Sequence, residues 1–598
     1  MEPSADRQAP PVFSPQVLMD LYLRGRHAEL SENFLSILRH FRETTYQKLD
    51  PQGRFFVNEF VKHFLTLFTQ DDYQPAPIVE FVRLNPTVAN LVALSSFGTT
   101  DPFLELLRDR PDALGKVLTL YSARNAVLLD RQSFFDADPI LANVWYGAFA
   151  ELCQSGLVRG DVLGRLRDHF NAAGDRSDAR YAALDSYFAS TYVDGRCDRV
   201  VKSAINRSLR TAALANNVRV RNRADPRQIA VLSGNWSPEH SVYRISRASV
   251  AALKGYHLTL FHFGRKRTPD LSLFDASHRL DFDSEGTLDL GPLLDNEFSV
   301  AYYPDVGLTP QSVWLANLRI APIQVASLGH SVSTWGADID YFLSGAAVEP
   351  ADDPGRNYSE RLVLLPGSGA VHERPDYTPT GRRKADAGIL INAPWNAQKV
   401  NHGFALTLRE LVNRSRRDLR IRLFASASLN RRNDYLPFVR DLEALLGPDR
   451  VEVFPALPYR EYMAMMEEGD LTLDSSHFGG CNTVADSLFL RKPTVTWEGD
   501  AWYNRIGSQM VRAAGLPELA ATTSAEYLDV SLRLIHDDAF RASIQQRLDR
   551  ADLDATVFST AEARYFPKAI SYLIENHDRL SQERDRSPIW IDGDPPAA

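Results

Sequence analysis

His477-Phe478-Gly479-Gly480-Cys481-Asn482-Thr483-Val484-Ala485-Asp486 is the stretch whose reading decides the fold. Ahead of it runs the short alternating segment Asp470-Leu471-Thr472-Leu473-Asp474. Behind it come an apolar helical run and a second β-rich segment, Pro493-Thr494-Val495-Thr496-Trp497. The pattern is strand, glycine turn, helix, strand, the repeating unit of doubly wound parallel sheets. Free N–H groups at a helix start attract an anion, and paired glycines let a phosphate approach the backbone. Asn482 and Asp486 are four residues apart and share one helix face, where a carboxylate can receive ribose hydroxyls. Taken alone, the stretch fits ordinary loop and cap chemistry equally well, so its surroundings must decide.

Working outward, the same alternation fills the segments on either side. Upstream, Gly388 to Asn392, Arg420 to Ala425 and Val451 to Phe454 read as strands, with helices at Phe404 to Asn413, Tyr435 to Leu446 and Tyr459 to Glu468. An earlier block repeats the alternation: strands at Gln228 to Ser233, Tyr256 to Phe263, Phe298 to Tyr303 and Ile320 to Ser327, with helices at Val242 to Leu253 and Gln311 to Leu318. From Phe13 to about Asn216 the apolar residues instead recur at helical spacing, without a convincing 34-residue repeat. The fold class expected is therefore α/β, with two Rossmann-like lobes of the GT-B type preceded by an all-α N-terminal domain. The divisions expected are a helical domain over 1–225, a first lobe over 226–350 and a linker over 351–384. A second lobe over 385–560, a C-terminal helix over 561–580 and a mobile tail over 581–598 follow.

Composition narrows the function classes. A length of 598 residues with 44% hydrophobic and 24% charged content is that of a multidomain globular chain. A net charge of -9 argues against a nucleic-acid partner. Cys153, Cys197 and Cys481 lie far apart, with no spacing that suits zinc or a disulfide framework. No segment reads as a signal peptide or membrane span, so a cytoplasmic location is expected.

Ligands in such sheets bind outside the carboxyl ends of the strands, here between the lobes. Lys399 follows a strand and precedes a helix, where a cation opposes the helix dipole unless an anion sits between them. A diphosphate is such an anion. His240, in the loop Gly234-Asn235-Trp236-Ser237-Pro238-Glu239, and His330, in Gly329-His330-Ser331, both follow strands of the first lobe. Each is a candidate to orient an acceptor, bond phosphate or act as a base. Asp338-Ile339-Asp340 imitates a paired-aspartate metal motif, but its position before Tyr341-Phe342-Leu343 reads better as a turn before a strand, and no metal is expected.

The runs Ala321-Pro322-Ile323-Gln324-Val325-Ala326-Ser327-Leu328-Gly329-His330, Asp340-Tyr341-Phe342 and Asn482 to Asp486 are similar to those of glycosyltransferase family 41. That family holds the protein O-GlcNAc transferases and the bacterial cytoplasmic N-glycosyltransferases that modify adhesins. The likeness covers roughly Gln228 to Ile574, with its motifs in the family's order, and the helical N-terminal domain resembles the adhesin-modifying branch. The resemblance implies an inverting, metal-independent transfer of a hexose, glucose in that branch, from a UDP-sugar to Asn in Asn-X-Ser/Thr sequences. Transfer to Ser or Thr is the neighbouring alternative, and a sugar-nucleotide-binding protein without activity a third. On this resemblance Lys399 matches the diphosphate-binding lysine and Asp486 the ribose-binding carboxylate. Gly480, Asn482 and Thr483 fall in the diphosphate-binding helix start, Arg505 matches an arginine after the following strand, His330 is the histidine typical of the N-glycosyltransferase branch where the O-GlcNAc enzymes carry tyrosine, and His240 matches a loop histidine; His330, His240 and Lys399 are the catalytic candidates. Trp236 stands where the family usually has another histidine, the loop before Lys399 is a residue longer, and Ser428 replaces a glutamine.

Overall fold

The structure is a computed structural model that describes residues 13–592 apart from 45, 47, 152–155, 176–183, 194–195, 217, 264–267, 283–287, 383, 385–387 and 426–434. Ser428 and Cys153 lie outside the described residues. Two parallel sheets form the frame. The first holds β1 (Arg221–Ser233), β2 (His257–His262), β3 (Ala276–Arg279), β4 (Asp295–Tyr303), β5 (Ile323–Ala326), β6 (Tyr341–Gly345) and β7 (Arg361–Leu365). The second holds β8 (Ile389–Ala393), β9 (Leu419–Phe424), β10 (Val451–Phe454), β11 (Leu471–Leu473), β12 (Thr494–Trp497) and β13 (Ala520–Ala521). A last strand, β14 (Ile589–Trp590), returns to the first sheet.

The strand orders are β3-β2-β1-β4-β5-β6-β7-β14 and β10-β9-β8-β11-β12-β13. Each lobe therefore starts in the middle of its sheet, builds outward to one edge, and then crosses back to build the other. The crossings leave one switch point between β1 and β4 and another between β8 and β11. The central strands are apolar on both faces, as sheets covered by helices on two sides require. Ile229, Ala230, Val231 and Leu232 are all 0% exposed, in register with Leu258 to Phe261 on β2.

The helical domain runs from Pro15–Leu23 to Cys197–Ala215 around its own aromatic-rich core. That core also takes in Val313 and Val332 of the first lobe and Phe478 of the second, so the domain is packed against both. Its last helix holds the turn Ser333 to Gly336. Lys202 donates to Ser333 O at 3.2 Å and Asn206 to Thr334 O at 2.7 Å, while the Trp335 indole donates to Asp198 at 2.7 Å.

Three expectations are corrected. The Asp225-Pro226 boundary lies inside β1, where the register against β4 shifts between Asn222 and Asp225 and again before Ile229. An irregular ladder accommodates the missing N–H of Pro226. The expected linker contributes β7, whose Leu362 to Leu365 are buried in the first sheet. The expected mobile tail is also structured: Ile589 and Trp590 pair with Val363 and Leu364, and Arg361 binds Glu583 at 2.7 Å. Charge and proline in the tail mask two buried residues, Ile589 and Ile591. Before it, helix Tyr565–Gln582 lays Phe566, Ala569, Ile570 and Leu573 on one face of the first sheet, against Ile229, Val231 and Tyr302.

Candidate functional site

Lys399 leaves the loop after β8 and the glycine stretch leaves the loop after β11, so both occupy the switch point of the second sheet. The Lys399 Nζ donates to Gly479 O at 2.7 Å and lies 5.1 Å from the centre of the Phe478 ring. Burial lowers the ammonium's pKa, and the nearby Asp474 carboxylate opposes that shift.

Asp474, at the end of β11, organises the glycine loop from beneath. Its Oδ1 accepts from the N–H of Gly480 at 2.7 Å and of Ser475 at 2.8 Å. Burial raises its pKa to about 6, offset in part by Lys399 and these N–H groups. Gly480 leaves no room for a side chain: a Cβ there would lie 2.4 Å from Thr483 Oγ1 and 2.8 Å from Asp474 Oδ1.

Helix Asn482–Phe489 starts directly after this loop, with Asn482 and Asp486 on one face. Opposite it, helix Ser241–Ala251 of the first lobe starts at His240, whose Nδ1 accepts from Val242 N at 3.2 Å and caps that helix. The two helix starts meet: Asn482 Nδ2 donates to Ser241 O at 3.1 Å. Two positive helix ends thus converge at the cleft, beside a lysine, and their joint field favours an anion. Asn482 Oδ1 is buried without a hydrogen-bond partner among the described residues, which leaves an acceptor for a ligand.

Asp486 is 2% exposed and engaged from both lobes. Arg244 of helix Ser241–Ala251 donates to Oδ1 at 2.7 Å and to Oδ2 at 3.4 Å, and the Tyr459 hydroxyl donates to Oδ1 at 2.7 Å. The Arg244 guanidinium also lies 5.1 Å from the Tyr459 ring centre. Alongside, the Cys481 Sγ is 3.2 Å from His372 Nε2. Burial pushes the thiol up to about 12 and the imidazole down to about 3, so both are neutral at pH 7.

The remaining expected residues stand apart from this cluster. His330 is 4% exposed, under the Phe188 ring at 5.4 Å. Its Nδ1–H donates to Val306 O at 3.0 Å, and its Nε2 is a buried acceptor without a partner among the described residues. Burial, with Lys202 nearby, lowers its pKa to about 3, so the ring is neutral but a weak base, against the expectation of a base near pH 7. Its connection to the glycine loop runs through the rings of Phe188, Tyr192 and Phe478. Arg505, expected at the nucleotide, instead binds Glu498 at 2.8 Å, Val348 O at 2.7 Å and Gly499 O at 3.2 Å, tying the loop after β12 to the first lobe. Asp338 and Asp340 are both ion-paired to Arg319 and precede β6, as a structural turn should be. Among the described residues no group of three or more His, Cys, Asp or Glu side chains is placed to hold a metal ion.

Next to the glycine loop, all three parts of the chain enclose a cavity of about 320 Å³. Asp198 of the helical domain, Ser331, Trp335 and Tyr358 of the first lobe, and His477 and Tyr503 of the second line it. Its walls mix hydroxyl, carboxylate, imidazole and aromatic surface, which suits a polar chain segment better than a purely apolar ligand.

Sequence reasoning did not single out Asp474, Arg244, Tyr459 or His372 as site residues. For Asp474 a signal existed, because an acidic residue closing a strand before a glycine turn is placed to accept the turn's N–H groups. Arg244 carried a weaker one, one helical turn beyond His240. Tyr459 becomes visible only when the second lobe folds and brings it to Asp486, and His372 only when the lobes are assembled.

Paired parallel sheets with facing switch points, an anion-attracting helix start and a buried lysine define the two-lobed glycosyltransferase fold of the GT-B type. Residues 442–566 match the family model described as Glycosyl transferase family 41. The chain is 24% identical over 333 residues to a UDP-glucose:protein N-beta-glucosyltransferase of Actinobacillus pleuropneumoniae serotype 5b (strain L20), covering 53% of this chain and 52% of that protein. It is 26% identical over 260 residues to a probable UDP-N-acetylglucosamine–peptide N-acetylglucosaminyltransferase SPINDLY of Solanum lycopersicum, covering 39% of this chain and 26% of that protein. The chain thus spans about half or less of the length of these curated relatives. A mutant of Thermobaculum terrenum O-GlcNAc transferase aligns with a TM-score of 0.57 at 18% identity, covering 95% of this chain and 98% of that one, a likeness of fold.

Proposed function

We propose that this chain is an inverting glycosyltransferase that moves a hexose, glucose, from a UDP-sugar to protein Asn side chains in Asn-X-Ser/Thr sequences, without a metal ion. The observation that carries the reading is the joint placement of the Lys399 ammonium and the start of helix Asn482–Phe489, with the Asp486 carboxylate one turn further in. That spacing matches a nucleoside diphosphate: phosphates at the helix start, ribose hydroxyls at the carboxylate.

In this reading Lys399 leaves Gly479 O for a diphosphate oxygen, and the helix N–H groups at Asn482 and Thr483 share the charge. Gly480 lets the phosphate approach, and Asp474 holds the loop in shape. Asn482 Oδ1 receives a hydroxyl of the donor. Attack from the face opposite the leaving diphosphate inverts an α-linked donor to a β-glycoside. An asparagine amide is a poor nucleophile, and a buried His330 is a weak base. The acceleration then comes chiefly from stabilising the departing diphosphate and positioning the acceptor. The acceptor, a peptide segment of an adhesin or another surface protein before export, enters by way of the 320 Å³ cavity. His330 and His240 are assigned to orienting acceptor and donor. The low cysteine content and a family branch named for cytoplasmic enzymes support a cytoplasmic location.

The test is intact-mass analysis of an Asn-X-Thr peptide and its Gln-X-Thr control, each incubated with the protein, EDTA and either UDP-glucose or UDP-GlcNAc. A hexose increment on the Asn peptide alone is expected. An equal increment on both peptides moves the acceptor to threonine. No increment with either donor refutes the transferase assignment for these acceptors.

A further inference from the structure

Among the described residues Arg244 is the guanidinium that joins the two lobes at the candidate donor site, and its partner is the carboxylate to which a ribose is assigned. Both partners are deep in the protein, with side-chain exposures of 17% for Arg244 and 3% for Asp486. The guanidinium and the phenol occupy Oδ1, which leaves only Oδ2, itself 3.4 Å from Arg244, so the carboxylate cannot offer one free oxygen to each of two ribose hydroxyls. The nucleotide therefore has to compete with Arg244 or recruit it.

The surroundings favour recruitment. Three residues before Arg244 on the same helix, Ser241 O receives Asn482 Nδ2, so the arginine stands at the junction of the two helix starts. The Tyr459 ring underlies the guanidinium and offers a face along which it can shift while it stays charged. Cys481, at the N-cap position of helix Asn482–Phe489, feels the charge of both Lys399 and Arg244, so both cations lie near that helix start. Asn482 Oδ1, buried and unpartnered, lies in the same space. A diphosphate there presents more charge than one carboxylate and accepts two parallel N–H bonds from a guanidinium.

We propose that Arg244 is a donor-binding residue that exchanges partners: it covers Asp486 when the site is empty and moves to the diphosphate when a nucleotide enters, which frees Asp486 for the ribose. The proposal rests on the UDP-sugar reading above. The first lobe then supplies one cation and the second lobe, through Lys399, the other, and donor binding itself draws the lobes together.

The experiment measures affinity for UDP and for uridine, which lacks phosphates, by ligand-observed NMR titration of the wild type and the Arg244→Met and Asp486→Asn variants. Thermal unfolding confirms that each is folded. Arg244→Met is expected to weaken UDP roughly 10- to 100-fold, the range of a lost charge-assisted pair, while uridine binding stays equal or tightens because nothing covers Asp486. Asp486→Asn is expected to weaken UDP and uridine alike. Equal weakening of both ligands in Arg244→Met overturns the proposal, because a purely structural clamp acts that way, and so does unchanged UDP affinity. If Arg244→Met does not fold, Arg244→Lys gives the same comparison with a smaller separation between the ligands. A wild type that binds neither ligand overturns the nucleotide reading and the proposal with it. A wild type that binds UDP beside an indifferent Arg244→Met overturns the proposal alone.

Discussion

Lys399→Met tests the donor assignment most directly, because methionine keeps most of the stem's volume and removes the charge. In the structure the ammonium is held 2.7 Å from Gly479 O, so it is already oriented toward the start of helix Asn482–Phe489. During transfer the bond to the diphosphate breaks and about one unit of negative charge develops on it. A cation roughly 4 Å from that charge contributes up to about 4 kcal/mol at an effective dielectric near 20. Removal of a single preorganised donor from a developing oxyanion costs about 2.7–4 kcal/mol, or roughly 10²–10³ in kcat. Since the charge grows during the step, kcat is expected to fall by about that factor, while the affinity for UDP-sugar falls less, by roughly tenfold. Single-turnover transfer to an Asn-X-Thr peptide at saturating donor, quenched and read by mass spectrometry, gives the chemical step. Direct titration gives the affinity. A variant with near-normal turnover and unchanged donor affinity would remove Lys399 from the mechanism and, with it, the charge argument for the whole site.

Gly480→Ala brings a methyl against Asp474 Oδ1, which two N–H groups hold in place. The loop must move, and a stability loss of about 1–3 kcal/mol with weakened UDP binding is expected in denaturant and ligand titrations. Unaltered binding would mean the loop does not approach the phosphates. Asp474 titrates near 6 in the folded chain against 3.8 ordinarily, so the folded state binds the proton more tightly and stability attributable to this group declines as pH rises from about 4 to 6. Relative to Asp474→Asn, the wild type should therefore gain roughly 2 kcal/mol between pH 7 and pH 4, measured by urea unfolding, and a pH-independent difference would contradict the burial argument. Ile589→Ala with Ile591→Ala should cost about 2 kcal/mol or more per site, because each isoleucine is buried at the sheet edge; a combined loss below about 0.5 kcal/mol would return the tail to a surface role.

The buried strands were legible because parallel sheets demand unbroken apolar runs. Gly388 to Asn392 is displaced by only one residue from the fully buried β8, and the edge strand Val451 to Phe454 and the helix Tyr435 to Leu446 also fall where the pattern places them. β7 was missed although Leu362-Val363-Leu364-Leu365 is as apolar as any strand, because turn residues on both sides drew the whole segment into a linker. The two-residue β13 and β14 are too short for periodicity to register. At the site, the glycine loop, Lys399, Asn482 and Asp486 could be read because each follows a strand in a repeating unit. The Arg244–Asp486 pair could not, since its members are 242 residues apart and meet only when two separately built sheets face one another. His330 was legible as a position but not as an environment: a neighbouring domain buries it, and burial sets its protonation.

β14 belongs to the first sheet and helix Tyr565–Gln582 packs on it, yet both follow the second lobe in the chain. During synthesis the first lobe leaves the ribosome with the face formed by Ile229, Val231, Tyr302 and Leu343 covered only in part, by Tyr243 and Val250 of helix Ser241–Ala251. It stays so until the entire second lobe has been translated, for more than two hundred residues. A long-lived apolar face on a nascent chain invites capture by holding factors or by other nascent chains. The closing helix also makes the maturation of the first lobe contingent on the second, so a ribosome that stalls within the second lobe releases a chain whose first sheet lacks its cover.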